Sequence, residues 1–314
     1  MDNIENNKVK NILSKRKEKS RIVEQVGEQL ARVKQKMDCV KHKIAIMSGK
    51  GGVGKSTVTV NLAISLAKKG NKVGILDADI NGPCIPGMLG LKREAINFTS
   101  GEIKPALGPL GIMVASMDLL VKGDNTPVEW EWEGPALFEG VWREQMEISA
   151  IREFLGDILW GNLDYLLIDF PPSNNDKPTV IKQLIPDMDG AVIVTIPSKV
   201  SQKVVSRLIN LDKDLHIPIL GLIENMSGFL CPTCGVKAEL FKKPDGDRLA
   251  KKFCIPFLGR VPFSIKLNDS ADNGTPLVEE NSMTINTMPV NIFDEIGEKI
   301  EAIMNYKKII AKSI

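Results

Sequence analysis

The chain has 314 residues, 43% hydrophobic and 25% charged, which is ordinary for a globular protein with a sizeable core. A net charge of +2 and only 5% aromatic residues argue against the positive field and base-stacking surface of nucleic-acid-binding proteins. No apolar segment follows the charged N-terminus, and no run approaches the roughly 20 apolar residues of a membrane span. We therefore expect a cytoplasmic protein that binds neither nucleic acid nor membrane.

The first predicted element is a charged helix from about Ser14 to Val40. Its apolar residues recur at steps of four and three: Ile22, Val26, Leu30, Val33, Met37 and Val40. This apolar side predicts packing on the main domain, with a dimer or partner contact as the alternative. We treat residues 1–40 as an N-terminal charged helical extension.

Short apolar runs alternate with helical stretches through the rest of the chain. The runs lie at 43–48, 72–77, 112–116, 165–169, 191–196, 219–223 and 257–261. A helix from Lys55 to about Lys69, ended by Gly70, follows the first run. The alternation predicts an α/β fold with a mainly parallel sheet and helices on both faces. No Pro/Gly/Ser-rich linker divides it, so we expect one domain over 41–306 and a C-terminal tail at 307–314.

Two further stretches lie outside the alternation of strands and helices. Residues 120–150, which contain three tryptophans, are expected to form an irregular surface excursion near the site. The segment Asn291–Ile314 carries isoleucines at helical spacing, and its first part is expected to dock on the core.

A glycine-rich motif lies between the first predicted strand and the first helix. It comprises Gly49, Lys50, Gly51, Gly52, Val53, Gly54, Lys55, Ser56 and Thr57. Its glycines let backbone N–H groups converge on phosphate oxygens at a helix N-terminus. Lys55 is expected to reach the β- and γ-phosphates, and the Ser56 hydroxyl to bind Mg²⁺. The motif predicts a binding site for ATP with Mg²⁺.

Carboxylates end two of the predicted strands. Asp77 and Asp79 close the second run as Asp-Ala-Asp, and Asp169 closes the run at 165–169. Asp169 fits an acid that holds Mg²⁺ through water, since Mg²⁺ keeps several of its waters. Asp77 is interpreted as a magnesium-shell or structural acid. The alternative for each is a carboxylate that caps the following helix.

Cys231 and Cys234 form the second chemical feature, as Cys-Pro-Thr-Cys-Gly. Two thiolates separated by two residues can hold one metal centre from one side, but such a centre needs four ligands. The sequence has no second Cys-x-x-Cys, so the simplest completion is a second copy of the chain. By ligand type, four thiolates suit a 4Fe–4S cluster and zinc equally.

The loop with its extra front lysine, Lys-Gly-Gly-Val-Gly-Lys-Ser-Thr, resembles the deviant Walker A class of P-loop ATPases. The resemblance implies that Lys50 crosses a dimer interface and stabilises charge at the other subunit's nucleotide. It implies that Asp79 positions the attacking water and that Asn225, in Glu-Asn-Met-Ser, reads adenine. A solvated lysine and a turn-forming asparagine are the alternatives for Lys50 and Asn225.

The whole set of motifs resembles the Mrp/ApbC family of iron–sulfur cluster carrier ATPases. Besides the loop and the cysteine pair, matching pieces lie at 77–84, 164–169, 224–227 and 256–262. The resemblance implies a slow ATPase that works as a homodimer. It also implies that a 4Fe–4S cluster bridges the cysteines of both subunits and passes to apo iron–sulfur proteins.

This sequence departs from the family pattern in three places. Phe170-Pro-Pro-Ser-Asn-Asn-Asp176 replaces a glycine-rich switch loop, Cys84 replaces a serine, and Glu133 replaces an arginine. These departures bear on the hydrolysis rate more than on nucleotide binding. A partitioning or positioning ATPase, a zinc-stapled ATPase scaffold and a nitrogenase-reductase-like electron donor remain the alternative functions.

Overall fold

The computed structural model describes residues 24–92, 97–99, 102–121, 139–171, 177–214, 216–231, 236–239, 241, 245–277 and 288–312. Its strands are β1 (Val40–Ser48), β2 (Val73–Asp77), β3 (Asn97–Thr99), β4 (Glu102–Lys104), β5 (Ala106–Leu107), β6 (Met113–Ala115), β7 (Leu163–Asp169), β8 (Gly190–Thr195), β9 (Ile219–Leu230), β10 (Lys237–Ala238) and β11 (Phe257–Phe263). β3 and β4 form a separate hairpin, while the other nine strands form one sheet.

The helices connect these strands and cover the sheet. They are α1 (24–38), α2 (Lys55–Lys68), α3 (Ile85–Met88), α4 (Glu139–Asp157), α5 (Lys177–Leu184), α6 (Lys199–Asp214), α7 (Gly246–Phe253), α8 (Ile265–Asp272) and α9 (Met288–Lys312). Short 3₁₀ turns lie at Pro109–Gly111 and Met117–Leu119.

The main sheet is parallel except at its ends. Its order is β11, β9, β8, β1, β7, β2, β6 and β5, with β5 antiparallel at one edge. β10 pairs antiparallel with the last residues of β9. The central strand β1 is buried along nearly its whole length, because helices cover both of its faces. This confirms the predicted α/β fold with a mainly parallel, doubly covered sheet.

Two apolar layers hold the helices to the sheet. One layer contains residues of α1, α4, α5, α6 and α7, and the other contains residues of α2, α3, α8 and α9. At the first layer, Val33 and Met37 of α1 are buried, and Arg32 pairs with Asp157 at the end of α4 at 3.0 Å. The described part of the N-terminal helix therefore packs on the main domain, as predicted. Val40 instead begins β1.

Two predicted boundaries are wrong. α4 begins at Glu139, so residues 139–150 are helical rather than irregular, and Trp142 belongs to that helix. β9 continues to Leu230, because its later residues pair with β11 and β10. α9 runs to Lys312, across the expected start of the C-terminal tail at 307.

The topology gathers the chemistry at one edge of the sheet. β7 lies between β1 and β2, and all three strands run in the same direction. Their carboxyl ends carry the phosphate loop, Asp169 and Asp77, with Asp77 directly opposite Asp169 in the register. Crevices beyond the carboxyl ends of parallel strands are where open α/β sheets bind ligands.

Candidate nucleotide and metal site

The phosphate loop joins β1 to α2 through a tight turn. Gly54 has φ +78°, and a Cβ added there would lie 2.2 Å from Nδ2 of Asn225. At Gly49, a Cβ would lie 2.7 Å from Cγ1 of Val204 on α6. Glycine is therefore required at both positions, because a larger residue would clash with a close neighbour. At Gly54 the positive φ is a second reason.

Asp169 is the centre of the polar contacts below the loop. Its carboxylate is fully buried, and Oδ1 lies 2.8 Å from Nζ of Lys55. The Ser56 hydroxyl donates to Oδ2 at 2.6 Å, and the Thr59 hydroxyl donates to Oδ1 at 2.8 Å. The structure thus brings together the predicted phosphate lysine, the predicted Mg²⁺ hydroxyl and the predicted Mg²⁺ acid. These are the hard oxygen donors and the cation that a magnesium nucleotide requires.

Asp77 lies beside Asp169 and is held by the backbone of the next turn. Its Oδ2 accepts hydrogen bonds from the N–H groups of Cys84 and Ile85 and from the Ser116 hydroxyl, at 3.2, 3.4 and 3.1 Å. Burial, reinforced by the Asp169 carboxylate, raises the pKa of Asp77 to about 7, and Lys55 opposes this shift. These contacts favour a structural role for Asp77 over a role in the magnesium shell, because its carboxylate fixes the start of α3.

Cys84, one of the departures from the family pattern, lies within this site. Burial raises the pKa of its thiol to about 11, although contact with the Ser56 hydroxyl acts in the opposite sense. The side chain is therefore a neutral thiol at physiological pH, and an inert one, since the thiolate is the reactive form.

The two predicted catalytic residues lie nearer to solvent. Asp79 is half-buried, and its backbone N–H donates to Oδ1 of Asp77 at 3.3 Å. Lys50 is exposed at the front of the loop, and its carbonyl accepts a hydrogen bond from the Ser48 hydroxyl. Lys50 forms no ion pair with any residue in the described ranges.

Asn225 lies within β9, so the predicted position after the strand is wrong. Its Nδ2 donates to the carbonyl of Val53 at 2.9 Å, and the side chain is buried. The amide thus holds the phosphate loop against the sheet. Its role in reading adenine stays a prediction.

The cysteine motif falls between the paired strands β9 and β10. β9 ends at Leu230, β10 returns from Lys237, and the N–H of Cys231 donates to the carbonyl of Val236 at 3.1 Å. Cys231 is half-buried, and Cys234 lies outside the described residues. Among the residues that are described, no three Cys, His, Asp or Glu side chains come together as metal ligands.

A family comparison agrees with this combination of phosphate loop and cysteine hairpin. A sequence model of the ParA group, described as NUBPL iron-transfer P-loop NTPase, matches residues 39–300. The chain belongs to the iron-transfer P-loop NTPases. This confirms the predicted membership of the Mrp/ApbC family, which the curated relatives also support.

Relatives of this iron-transfer NTPase match over most of their length. The iron-sulfur cluster carrier protein of Methanocaldococcus jannaschii is 47% identical, over 81% of this chain and 83% of its own. The protein of the same name from Saccharolobus solfataricus is 41% identical, over 86% and 88%.

Solved structures agree with the fold. A nucleotide-binding protein of Archaeoglobus fulgidus in complex with ADP has a TM-score of 0.64 and 38% identity, covering 81% of this chain and 93% of that one. The cell division ATPase MinD of Pyrococcus furiosus has a TM-score of 0.55 at 19% identity, over 83% and 99%. The second likeness shows the fold alone.

Two groups in this iron-transfer NTPase were not found by sequence reasoning. Thr59 lies one helical turn after Lys55, so its spacing could have placed it on the same side of α2 as that lysine. Glu224 is fully buried in β9 and accepts hydrogen bonds from the N–H groups of Asp245 and Gly246 and from Arg260. A charged residue directly after an apolar run was the available signal for Glu224. Through these hydrogen bonds, Glu224 holds the start of α7 against the sheet.

Within the described ranges, no helix of this NTPase combines sufficient length with sufficient apolar character to cross a bilayer.

Proposed function

We propose that this iron-transfer NTPase hydrolyses ATP and works as a homodimeric carrier. It holds a 4Fe–4S cluster between Cys231 and Cys234 of two copies and passes the cluster to apo-proteins. The names of the M. jannaschii and S. solfataricus relatives support this cargo. We assign residues 41–306 as the ATPase domain. Thiolate ligands require a reducing compartment, which agrees with the predicted cytoplasmic location.

The observation that carries the proposal is that one strand connects both sites. β9 holds Asn225 against the phosphate loop and ends immediately before Cys231. The residues between them span roughly 20 Å at the rise of a β-strand. A change at the loop that moves Asn225 therefore acts on the same strand that positions the cysteine hairpin.

In this proposal, the contacts of buried Asp169 with Lys55 and Ser56 prepare the nucleotide site. Lys55 and Ser56 already point at the position below the loop, because Asp169 holds the ammonium and the hydroxyl together. Lys55 binds the β- and γ-phosphates, and the loop N–H groups bind phosphate oxygens. Ser56 binds Mg²⁺ directly, whereas Asp169 binds it through water. The bound Mg²⁺ supplies charge neutralisation on the phosphates.

Asp79 and Lys50 act in the hydrolytic step. Asp79 is more exposed than Asp77 and follows the same strand, so its carboxylate orients a water at the open side of the site. Lys50 is exposed and unpaired among the described residues, which leaves its ammonium available to the nucleotide of a second copy. That ammonium stabilises the charge that develops on the transferred phosphoryl group.

The same edge of the sheet carries exposed apolar side chains. Val200 at the start of α6 is 63% exposed, Ile265 at the start of α8 is 46% exposed, and Val236 beside the cysteine loop is 63% exposed. Helices that follow parallel strands begin at the carboxyl edge, so Val200 and Ile265 lie at the same edge of the sheet as Lys50 and the loop. A second copy docked on this edge covers them, and both Lys50 and the cysteines then face their counterparts.

Anaerobic reconstitution with iron and sulfide tests the proposed cargo. We expect a brown protein with a broad visible absorbance, which then restores activity to an apo 4Fe–4S enzyme. A colourless protein that takes up only zinc would contradict the carrier function and favour a zinc-stapled scaffold.

A further inference from the structure

A cationic groove lies between α6 and α7, and none of the residues that line it belongs to the nucleotide site or the cysteine motif. Its lining includes Lys199, Lys203 and Ser206 from α6, with Asp245, Arg248 and Lys252 at and along α7, around a volume of about 290 Å³. We call it the α6–α7 groove. Both helices cover the same face of the sheet.

The groove concentrates positive charge that the whole chain lacks. Four of its side chains are cationic, whereas the chain as a whole has a net charge of only +2. Asp245 is its acid, and Arg248 already pairs with it at 3.0 Å. Of the residues in the described ranges, no carboxylate pairs with Lys199, Lys203 or Lys252. The groove is therefore a local site for negative charge rather than part of a wide field.

The spacing of the cations indicates the shape of the negative partner. Lys199 and Lys203 are four residues apart on α6, and Arg248 and Lys252 are four apart on α7. Each helix thus presents two cations one turn apart, about 6 Å at the helix surface. Carboxylates at the same one-turn spacing on an acidic protein segment complement both rows.

The groove is also joined to both functional sites. Its α6 wall packs on the phosphate loop, because Val204 lies against Gly49. Its α7 wall begins at Gly246, shortly after β10 ends at Ala238, and Glu224 binds the N–H of Gly246. Glu224 lies seven residues before Cys231 on the strand that leads to it, roughly 23 Å at the rise of a β-strand. A protein bound in the groove therefore lies within reach of the cysteine motif.

We propose that the α6–α7 groove binds an acidic segment of the protein that receives the cargo. This proposal rests on the carrier function proposed above, since only a carrier needs a recipient close to Cys231. The acidic segment lies along the groove, with its carboxylates on Lys199, Lys203, Arg248 and Lys252. Binding there orients the recipient and does not touch the nucleotide.

Peptide binding tests this inference without cargo or nucleotide. The probe is a short fluorescein-labelled helical peptide with glutamates one turn apart, and its control is the same peptide with glutamines. The groove variant carries K199Q, K203Q and K252Q, while the matched control carries K68Q, K72Q and K251Q. All six lysines are exposed, so both variants are expected to fold, and thermal unfolding checks this.

We expect the glutamate peptide to bind the groove variant at least about tenfold more weakly than the wild type, with a shallower salt dependence. The matched control should bind within about twofold of the wild type, and the glutamine peptide should not bind. Equal loss in both variants would overturn the inference. So would a groove variant that loses binding to a single-stranded DNA oligonucleotide but not to the glutamate peptide.

The same assay separates this inference from the proposed function. If the reconstituted protein holds and transfers a cluster while the groove variant binds peptide normally, the carrier function stands and the docking site is wrong. If peptide binding depends on the groove but no cluster forms, the docking site stands and its recipient is not a cluster acceptor.

Discussion

The nucleotide site and the cysteine site lie at two ends of β9 and are built in opposite ways. At the phosphate loop, one chain supplies a buried cluster in which Lys55, Ser56 and Thr59 all bind Asp169. At the far end, Cys231 lies half-buried where β9 ends, and the proposed cluster needs two thiols from each of two chains. A monomer can therefore prepare the nucleotide site, whereas the proposed cluster site depends on assembly. Substitutions at one end show whether the other end responds.

The largest expected effect is on nucleotide binding. Lys55→Ala removes the ammonium that the buried Asp169 holds beneath the loop, so we expect ATP affinity to fall by at least about 100-fold. Titration calorimetry measures the loss, and Lys68→Ala at the exposed end of the same helix is the control. ATP binding by Lys55→Ala within about threefold of the wild type would refute the assignment of the loop.

The next effect isolates the cysteine end. Cys231→Ala should abolish cluster binding after anaerobic reconstitution, because one thiolate is lost from each chain. ATP affinity should stay within about twofold, since the Asp169 cluster is untouched. Cys254→Ala, at an exposed thiol, is the matched control and should keep the cluster. Full iron content in Cys231→Ala would show that the ligands lie elsewhere.

A smaller effect separates hydrolysis from binding at the nucleotide end. Asp79→Asn keeps the size of the side chain but removes the charge that orients the attacking water, so turnover should fall by about 10²-fold. ATP affinity should change little, because Asp79 is not among the groups bound to Asp169. Phosphate release under saturating ATP measures the rate. An unchanged rate would remove Asp79 from the catalytic step.

The smallest effect lies at the opposite edge of the sheet, away from both ends. Burial opposes ionisation of Asp189, but hydrogen bonds from the His42 ring and the Lys43 N–H outweigh it and lower the pKa of this carboxyl. A carboxylate with a lowered pKa stabilises the fold above its unfolded value of about 3.9, and this contribution is lost as the pH falls through the folded pKa. Asp189→Asn should therefore cost about 1 kcal/mol in the free energy of unfolding near neutral pH.

The pH dependence of this stability difference shows whether the charge of Asp189 causes it. The difference between wild type and Asp189→Asn should shrink below about pH 4, because the wild-type carboxyl is then protonated as well. Asp38→Asn, at an exposed pair within one helix, should change stability by less than about 0.5 kcal/mol at any pH. A constant difference across the pH range would show that Asp189 acts by packing alone. ATP and iron binding should be unaffected.

Much of the nucleotide end was predictable, because its signals are local. The loop follows a buried strand and opens a helix, and Asp169 ends another apolar run, so parallel strands bring them together. α4 was also predictable, since Ala150, Ile151, Phe154 and Leu155 recur at helical spacing. The prediction for residues 120–150 was nevertheless an irregular stretch.

Contacts between distant residues could not be predicted from local pattern. The hydrogen bond from Thr59 to Asp169 depends on α2 packing over β7, and the bond from Asn225 to Val53 depends on β9 continuing past its apolar run. Glu224 depends on α7, which follows it only after the cysteine hairpin. In each case the partner is set by tertiary packing rather than by spacing.

In the proposed dimer, each chain supplies half of a shared metal centre. Light scattering after gel filtration, combined with iron analysis of the same fractions, measures this on the anaerobically reconstituted protein. We expect a particle of two chains that carries about four irons, and a Cys231→Ala protein without iron. An iron-loaded protein that stays strictly monomeric would contradict it.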